Sequence, residues 1–282
     1  MGKRVKTTIF KALVCVVCLH FFVLGTLRAS STVQGNSFEI APSLSHFTYK
    51  EPGYMQNSGV MYGVSVAYSL RGHNYGLFDV LRTEADAAWG SVDYTSLRTG
   101  TMQGVPDSKF ETRVLFGQNL FDNGSVVMVQ YLGFGYRRLT DNSYGMTSTT
   151  GSRGYDRQSN YYYSPIGVEI SSSFKDGWSL DGSFEYDLFW YGTQVNSHYT
   201  PLPTFTNHQS VGYGLRASVK VTKKIGNASL LSFEPFFRYW NINDSELARY
   251  KATSELVVHD SSGIIEPQNN SKEYGIKVGL EF

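Results

Sequence analysis

SKEYGIKVGLEF, residues 271–282, ends the chain in strict alternation. Tyr274, Ile276, Val278, Leu280 and Phe282 share one parity, while Glu273, Gly275, Lys277, Gly279 and Glu281 share the other. Successive side chains of a strand point to opposite faces, so this segment carries one apolar face and one face of charges and glycine. A half-buried strand in a soluble sandwich would show the same alternation. The rest of the chain decides between them.

The pattern recurs upstream. GVMYGVSVAYSL (59–70) sets Val60, Tyr62, Val64, Val66, Tyr68 and Leu70 against Gly63, Ser65, Ala67 and Ser69. WSLDGSFEYDLFWYG (178–192) sets Leu180, Phe184, Tyr186, Leu188 and Trp190 against Ser179, Asp181, Ser183, Glu185 and Asp187. VGYGLRASVKV (211–221) and LSFEPFFRY (231–239) repeat it, with Arg216, Glu234 and Arg238 on the minor face. Weaker runs cover 37–49, 77–93, 110–121, 125–138 and 161–174, which with 273–282 gives ten strands. The connections alternate too. RGHNYG (71–76), FDNGS (121–125), KDG (175–177) and IGNAS (225–229) are short and carry turn chemistry, whereas 50–58, 94–109, 139–160, 193–210 and 243–272 are long and polar.

The start of the chain is of another kind. MGKRVK is basic, residues 12–27 are apolar apart from His20 and the small residues, and Ala29-Ser30-Ser31 suits a cleavage site. This predicts a secretory signal peptide over 1–31 and a barrel over 32–282. Both cysteines, Cys15 and Cys18, fall inside the signal, so the mature chain is expected to have neither disulfide nor thiol chemistry. Cleavage also removes five of the 25 basic residues and no acidic one, leaving 20 against 24. That balance argues against nucleic acid as a partner.

Beyond residue 31 no apolar run is long enough to cross a membrane as a helix, yet Tyr and Phe are abundant. Export, ten alternating strands and a long–short rhythm of connections predict an all-β, ten-stranded antiparallel transmembrane β-barrel. Short periplasmic turns and five longer extracellular loops complete it. The apolar parity should face lipid and the polar parity the lumen. Aromatics at strand ends, Tyr161-Tyr162-Tyr163 and Phe189-Trp190-Tyr191 above, Phe121 and Trp178 below, are expected to form interfacial girdles.

The terminal Phe282, with Tyr274, Ile276, Val278 and Leu280 before it, resembles the C-terminal signal of bacterial outer-membrane barrel proteins. FEIAPSLSHFTYKEPG (38–53), YLGFGYRRL (131–139) and YYYSPIGVEI (161–170) are similar to a family of small, loosely opacity-type outer-membrane barrels. The resemblance implies the outer membrane of a Gram-negative envelope as location, and outer-membrane lipid and the barrel assembly machinery as partners. It implies no chemical activity.

Residues that could carry chemistry are sparse. Ten strands is also the size of the omptins, outer-membrane proteases with Asp and His at the extracellular rim. Glu84, Asp86, His198 and His259-Asp260 are the candidates here, but Glu84 and Asp86 lie mid-strand and the His-Asp spacing is wrong. A lipid A deacylase needs His-x-Ser on the lipid side, and His208-Gln209-Ser210 matches the spacing in a polar loop. The histidines are scattered, so no metal or cofactor is expected.

The inward charges say more. Glu84 and Arg113, Asp187 and Arg216, Glu234 and Lys277, and Arg238 and Glu273 sit at similar heights on neighbouring strands. With Asp86 and Glu185 they form an expected lumen network. Opposite charges neutralise a narrow interior, because unpaired charges away from bulk water are costly. The reading is a monomeric, non-enzymatic surface or structural barrel, with a porin-like narrow pore and an outer-membrane hydrolase as alternatives.

Overall fold

The structure, a computed structural model, describes residues 35–72, 78–199, 203–225, 229–249 and 263–282; the expected signal peptide, residues 1–31, lies outside them. Strands β1 (Gly35–Glu51), β2 (Met55–Arg71), β3 (Val80–Ser96), β4 (Gly100–Asp122), β5 (Val126–Asn142) and β6 (Asp156–Ser173) pair in succession. β7 (Trp178–Ser197) follows β6. It pairs with β9 (Gly212–Lys224) in its lower half and β8 (Phe205–Gln209) in its upper half, so β8 and β9 share one place in the wall. β10 (Leu230–Ile242) and β13 (Asn269–Glu281) complete a closed antiparallel barrel of ten positions, with a two-residue pair, β11 (Ala248–Arg249) and β12 (Gly263–Ile264), above it.

Closure is made by the last strand. β13 pairs with β10 on one side and β1 on the other. The backbone of Phe282 itself is bonded to Phe38, its N–H donating at 2.9 Å and its carbonyl accepting at 3.0 Å. Among the described residues every long wall strand is paired on both sides, and only the short β8, which pairs with β7 alone, keeps an edge.

The two parities separate as alternation requires. Tyr62, Phe184, Phe237 and Val278 are exposed on the outer face, whereas Met61, Glu185, Arg216 and Trp240 are buried within. An outer wall with exposed aliphatic or aromatic side chains on every long strand far exceeds the apolar patches that soluble proteins tolerate. It suits a hydrocarbon solvent. Among the described residues no helix is long and apolar enough to cross a membrane.

Two features differ from the sequence expectation. Residues 50–58 and 94–109 are mostly strand, not loop: β1 and β2 are joined across 52–54 and β3 and β4 across 97–99. Above the apolar belt the outer face meets water and loses its apolar residues, so only the inward parity (Tyr49, Met55, Val92, Met102, Val105) still marks the strand. Tyr161, Tyr163 and Phe189 are the second correction. All three are buried in the interior, and only Tyr162, Trp190 and Tyr191 of those runs are exposed. Three consecutive strand residues cannot share a face, and a bulge at Tyr162/Tyr163 shifts the register against β7. Gly135 makes room: a Cβ there would lie 2.2 Å from the Tyr163 ring.

Candidate functional site

Inward parity brings ionisable side chains from most wall strands into one lumen. At the bottom Arg71 meets Glu169 at 2.9 Å, and Arg82 bridges Glu169 (3.2 Å) and Glu84 (2.8 Å). Arg113 Nε donates to Glu84 at 2.8 Å, and its Nη1 reaches Glu185 at 2.6 Å. Arg216 then binds Glu185 (3.0 Å) and Asp187 (2.7 Å), with further donors on Glu111 and the Tyr163 hydroxyl at 3.0 Å each. Arg238 contacts Asp86 at 3.2 Å and Glu111 and Glu273 at 3.8 Å, and Glu273 also pairs with Lys109. Positive and negative groups thus alternate in a continuous zigzag from the lower end to mid-barrel.

The structure places Glu84 against Arg113, Asp187 against Arg216 and Arg238 near Glu273. Glu234 and Lys277 are Cα partners, but the Lys277 ammonium turns to Asp86 at 3.4 Å. Glu234 has no ion pair among the described residues and lines a water-accessible cavity. Glu39, Arg71, Arg82, Lys109, Glu111, Glu169 and Lys220 belong to the same system, beyond the residues that sequence reasoning selects. Their signal is present as inward parity: Lys220 shares it in the clear run 211–221, Arg71 opens a stretch read as a turn, and the others lie at or beside runs whose apolar alternation is weak.

The lumen is asymmetric along its length. Its lower half holds a partly open cavity of about 460 Å³ lined by Glu39, Arg71, Glu169, Asp181, Lys220 and Glu234 among others. Its upper half is packed. Trp240 is 1 % exposed, with the Tyr163 ring edge-on at 4.9 Å and Arg137 and Arg216 at 5.2 and 5.8 Å from its own ring. Phe47, Met61, Val92, Tyr161 and Phe189 complete this apolar layer. Cations over an indole face in a desolvated layer add to the hydrophobic packing.

Above the belt, Arg157 of β6 holds Glu51 and Asp141 at 2.7 Å each, and Asn57 donates to the same Asp141 oxygen at 2.7 Å. Tyr49 donates to Glu266 at 3.2 Å. Sequence reasoning selects none of these residues: Tyr49 ends the weakly alternating run 37–49, and the others fall in polar stretches that read as loop.

The candidate catalytic residues do not converge. Glu84 and Asp86 are locked in the lumen ion pairs. His198 stands at the upper rim, its Nδ1 3.1 Å from Asp156 and its ring stacked on Tyr144 at 4.2 Å. His208 lies on a strand rather than in a loop, exposed and stacked over Tyr191 at 5.7 Å, with its Nδ1 on the Tyr191 hydroxyl. His259 and Asp260 lie outside the described residues.

No protein-family model matches the chain, and no curated protein does. Among solved structures, the outer membrane protease OmpT from Escherichia coli superposes with a TM-score of 0.66 at 13 % identity, covering 91 % of this chain and 99 % of that one. The translocator domain of the autotransporter NalP from Neisseria meningitidis matches at 9 % identity and a TM-score of 0.43, over 98 % and 97 % of the two chains. Ail, the attachment invasion locus protein of Yersinia pestis, matches at 9 % and 0.35, over 88 % and 99 %. The fold is that of an outer-membrane β-barrel.

Proposed function

We propose that this chain is a non-enzymatic barrel of the Gram-negative outer membrane, inserted through its C-terminal strand and monomeric, which presents a rigid head above the outer leaflet. One observation carries this reading: the upper lumen is filled by the Trp240–Tyr163–Tyr161–Phe189 layer and backed by the Arg216–Glu111 pair. A solute path would have to break both. The extended β1–β2 and β3–β4 hairpins continue the wall above the belt, which suits a surface that holds its shape.

Reconstitution into planar bilayers tests it. The expected record shows no steady unitary conductance; steady openings would replace this reading with the narrow pore. A second reading, a surface hydrolase, is favoured by the Asp156–His198 pair. A carboxylate on one imidazole nitrogen, with the ring at an exposed rim, is an arrangement that serves a general base. OmpT is a protease by name, but at 13 % identity the likeness speaks to fold alone. Peptide turnover by the reconstituted barrel that disappears in His198→Ala would establish this second reading; its absence is expected.

A further inference from the structure

Among the described residues, the acid cluster at the upper mouth outnumbers the one cation that pairs within it. Glu51 ends β1, Asp107 is on β4, Asp141 on β5, and Glu266 precedes β13; all four are under 10 % exposed. The cation among them is Arg157 on β6, its guanidinium 5.3 Å from the Tyr49 ring centroid. Lys109, two residues from Asp107 on β4, is committed to Glu273 below. Asp107 and Asp141 are Cα partners on adjacent strands. Tyr49 and Tyr155 supply only neutral hydroxyls here, since burial raises both above the ordinary phenol range. Among the described residues no three carboxylate or histidine groups gather as metal ligands.

β1 and β6 lie five wall positions apart in a barrel of ten, so they face each other across the mouth. The Arg157–Glu51 contact at 2.7 Å is therefore a cross-barrel tie, and Asp141 anchors the same guanidinium on its own side. Glu266 brings in the last connection. Its N–H donates to Ser245 Oγ and its carbonyl accepts from Ser245 N–H, both at 2.9 Å, while its carboxyl receives Tyr49. One cluster thus fastens β1, β6 and the segment leading into β13.

We propose that this cluster is a proton-dependent fastening of the extracellular head: with Asp107 and Glu266 protonated the tie holds, and their ionisation loosens the head while the lipid-embedded wall stays folded.

Four ionised carboxylates around one guanidinium would leave three negative charges in a nearly dry site, which is strongly unfavourable. Proton uptake resolves this. Burial, with the Asp141 carboxylate beside it, pushes Asp107 up to about 8, and burial with Glu51 beside it pushes Glu266 up to about 8. In a loosened head both would titrate near their ordinary values, about 4. Between those limits the fastened form binds more protons than the loosened one. The contribution of these two groups to fastening is therefore complete below about pH 4, weakens as pH rises from about 4 to about 8, and weakens no further once both forms are ionised.

The residues of the barrel contain no cysteine, so a nitroxide can be placed at one introduced thiol. Ile265→Cys puts it beside Glu266 at an exposed position, and Phe184→Cys puts a control on the lipid-facing wall. With the barrel in lipid bilayers, the mobile fraction at residue 265 should rise at least twofold between pH 5 and pH 8 and level off above. The label at residue 184 should not change. Adding Glu266→Gln and Asp107→Asn to the protein labelled at residue 265 should make its profile flat and immobile. A flat profile without those substitutions, an unchanged profile with them, or parallel loosening of the wall label would each overturn the proposal.

Discussion

Replacing Arg216 by Met removes the cation at the centre of the lumen network while keeping a chain of similar length. The structure predicts which partner suffers. Glu185 keeps Arg113 at 2.6 Å, and Glu111 keeps Arg238 at 3.8 Å. Asp187 keeps no cation: its ion pair among the described residues is with Arg216, it is fully buried, and its Oδ1 has no hydrogen-bond partner. Breaking a buried pair from one side strands a charge and costs about 3–5 kcal/mol. Arg216 also supports the Tyr163 hydroxyl and the Trp240 ring, so the upper end of that range is expected.

The assay is urea unfolding of the barrel refolded into lipid vesicles, followed by the gel shift between folded and heat-denatured forms. Arg216→Met should lower stability by about 3–5 kcal/mol, and adding Asp187→Asn should restore about half, since a neutral amide needs no counter-charge. Arg113→Met is a weaker perturbation by comparison, because Glu84 retains Arg82 at 2.8 Å. If Arg216→Met cost under about 1 kcal/mol, or if Asp187→Asn gave no relief, the stranded-charge account of the lumen would be refuted.

Phe282→Ser removes a half-exposed ring whose backbone bonds to Phe38 remain, so refolding in detergent should change by only about 1–2 kcal/mol while yield in the outer membrane of cells falls severalfold; Phe237→Ser should not show that split. Equal defects in cells and detergent would make the terminal Phe ordinary packing. Gly135→Ala should destabilise by about 1–3 kcal/mol, because its methyl would meet the Tyr163 ring at 2.2 Å, and thermal melting of the refolded barrel measures it. N-terminal sequencing of the outer-membrane form should begin within a few residues of Ser31; a chain still carrying Cys15 and Cys18 would refute the processing expected from the sequence.

The wall is legible in the sequence because its two solvents differ. Where the outer face meets hydrocarbon, each strand must alternate, and the residues 59–70, 178–192 and 273–282 state their orientation without help. Above the belt both solvents are alike in polarity at the outer face, and the signal drops to one parity. Residues 50–58 and 94–109 carry Gln, Ser, Thr and Asn over a buried Met55, Asn57 and Val105, a pattern that composition alone reads as loop. The inner aromatics escape for a related reason. Tyr161 and Tyr163 look like girdle residues until parity is enforced, and parity across Phe189 depends on a bulge that the sequence does not mark.

The lumen charges are legible as a parity but not as a circuit. Neighbouring pairs such as Glu84–Arg113 follow from register, which adjacent strands expose in sequence. Contacts across the interior do not: Arg113 with Glu185, Arg216 with Glu111 and Arg157 with Glu51 join strands that never pair. Those contacts depend on the diameter at which ten strands close, because an interior this narrow lets a guanidinium reach the far wall. Closure therefore converts a set of locally paired charges into one connected structure. The same reach packs Trp240 against β6 residues Tyr161 and Tyr163 and fills the upper lumen. A wider barrel with the same alternation would leave these side chains on opposite banks of a channel, so the packed upper lumen follows from strand number acting on residues that parity had already turned inward.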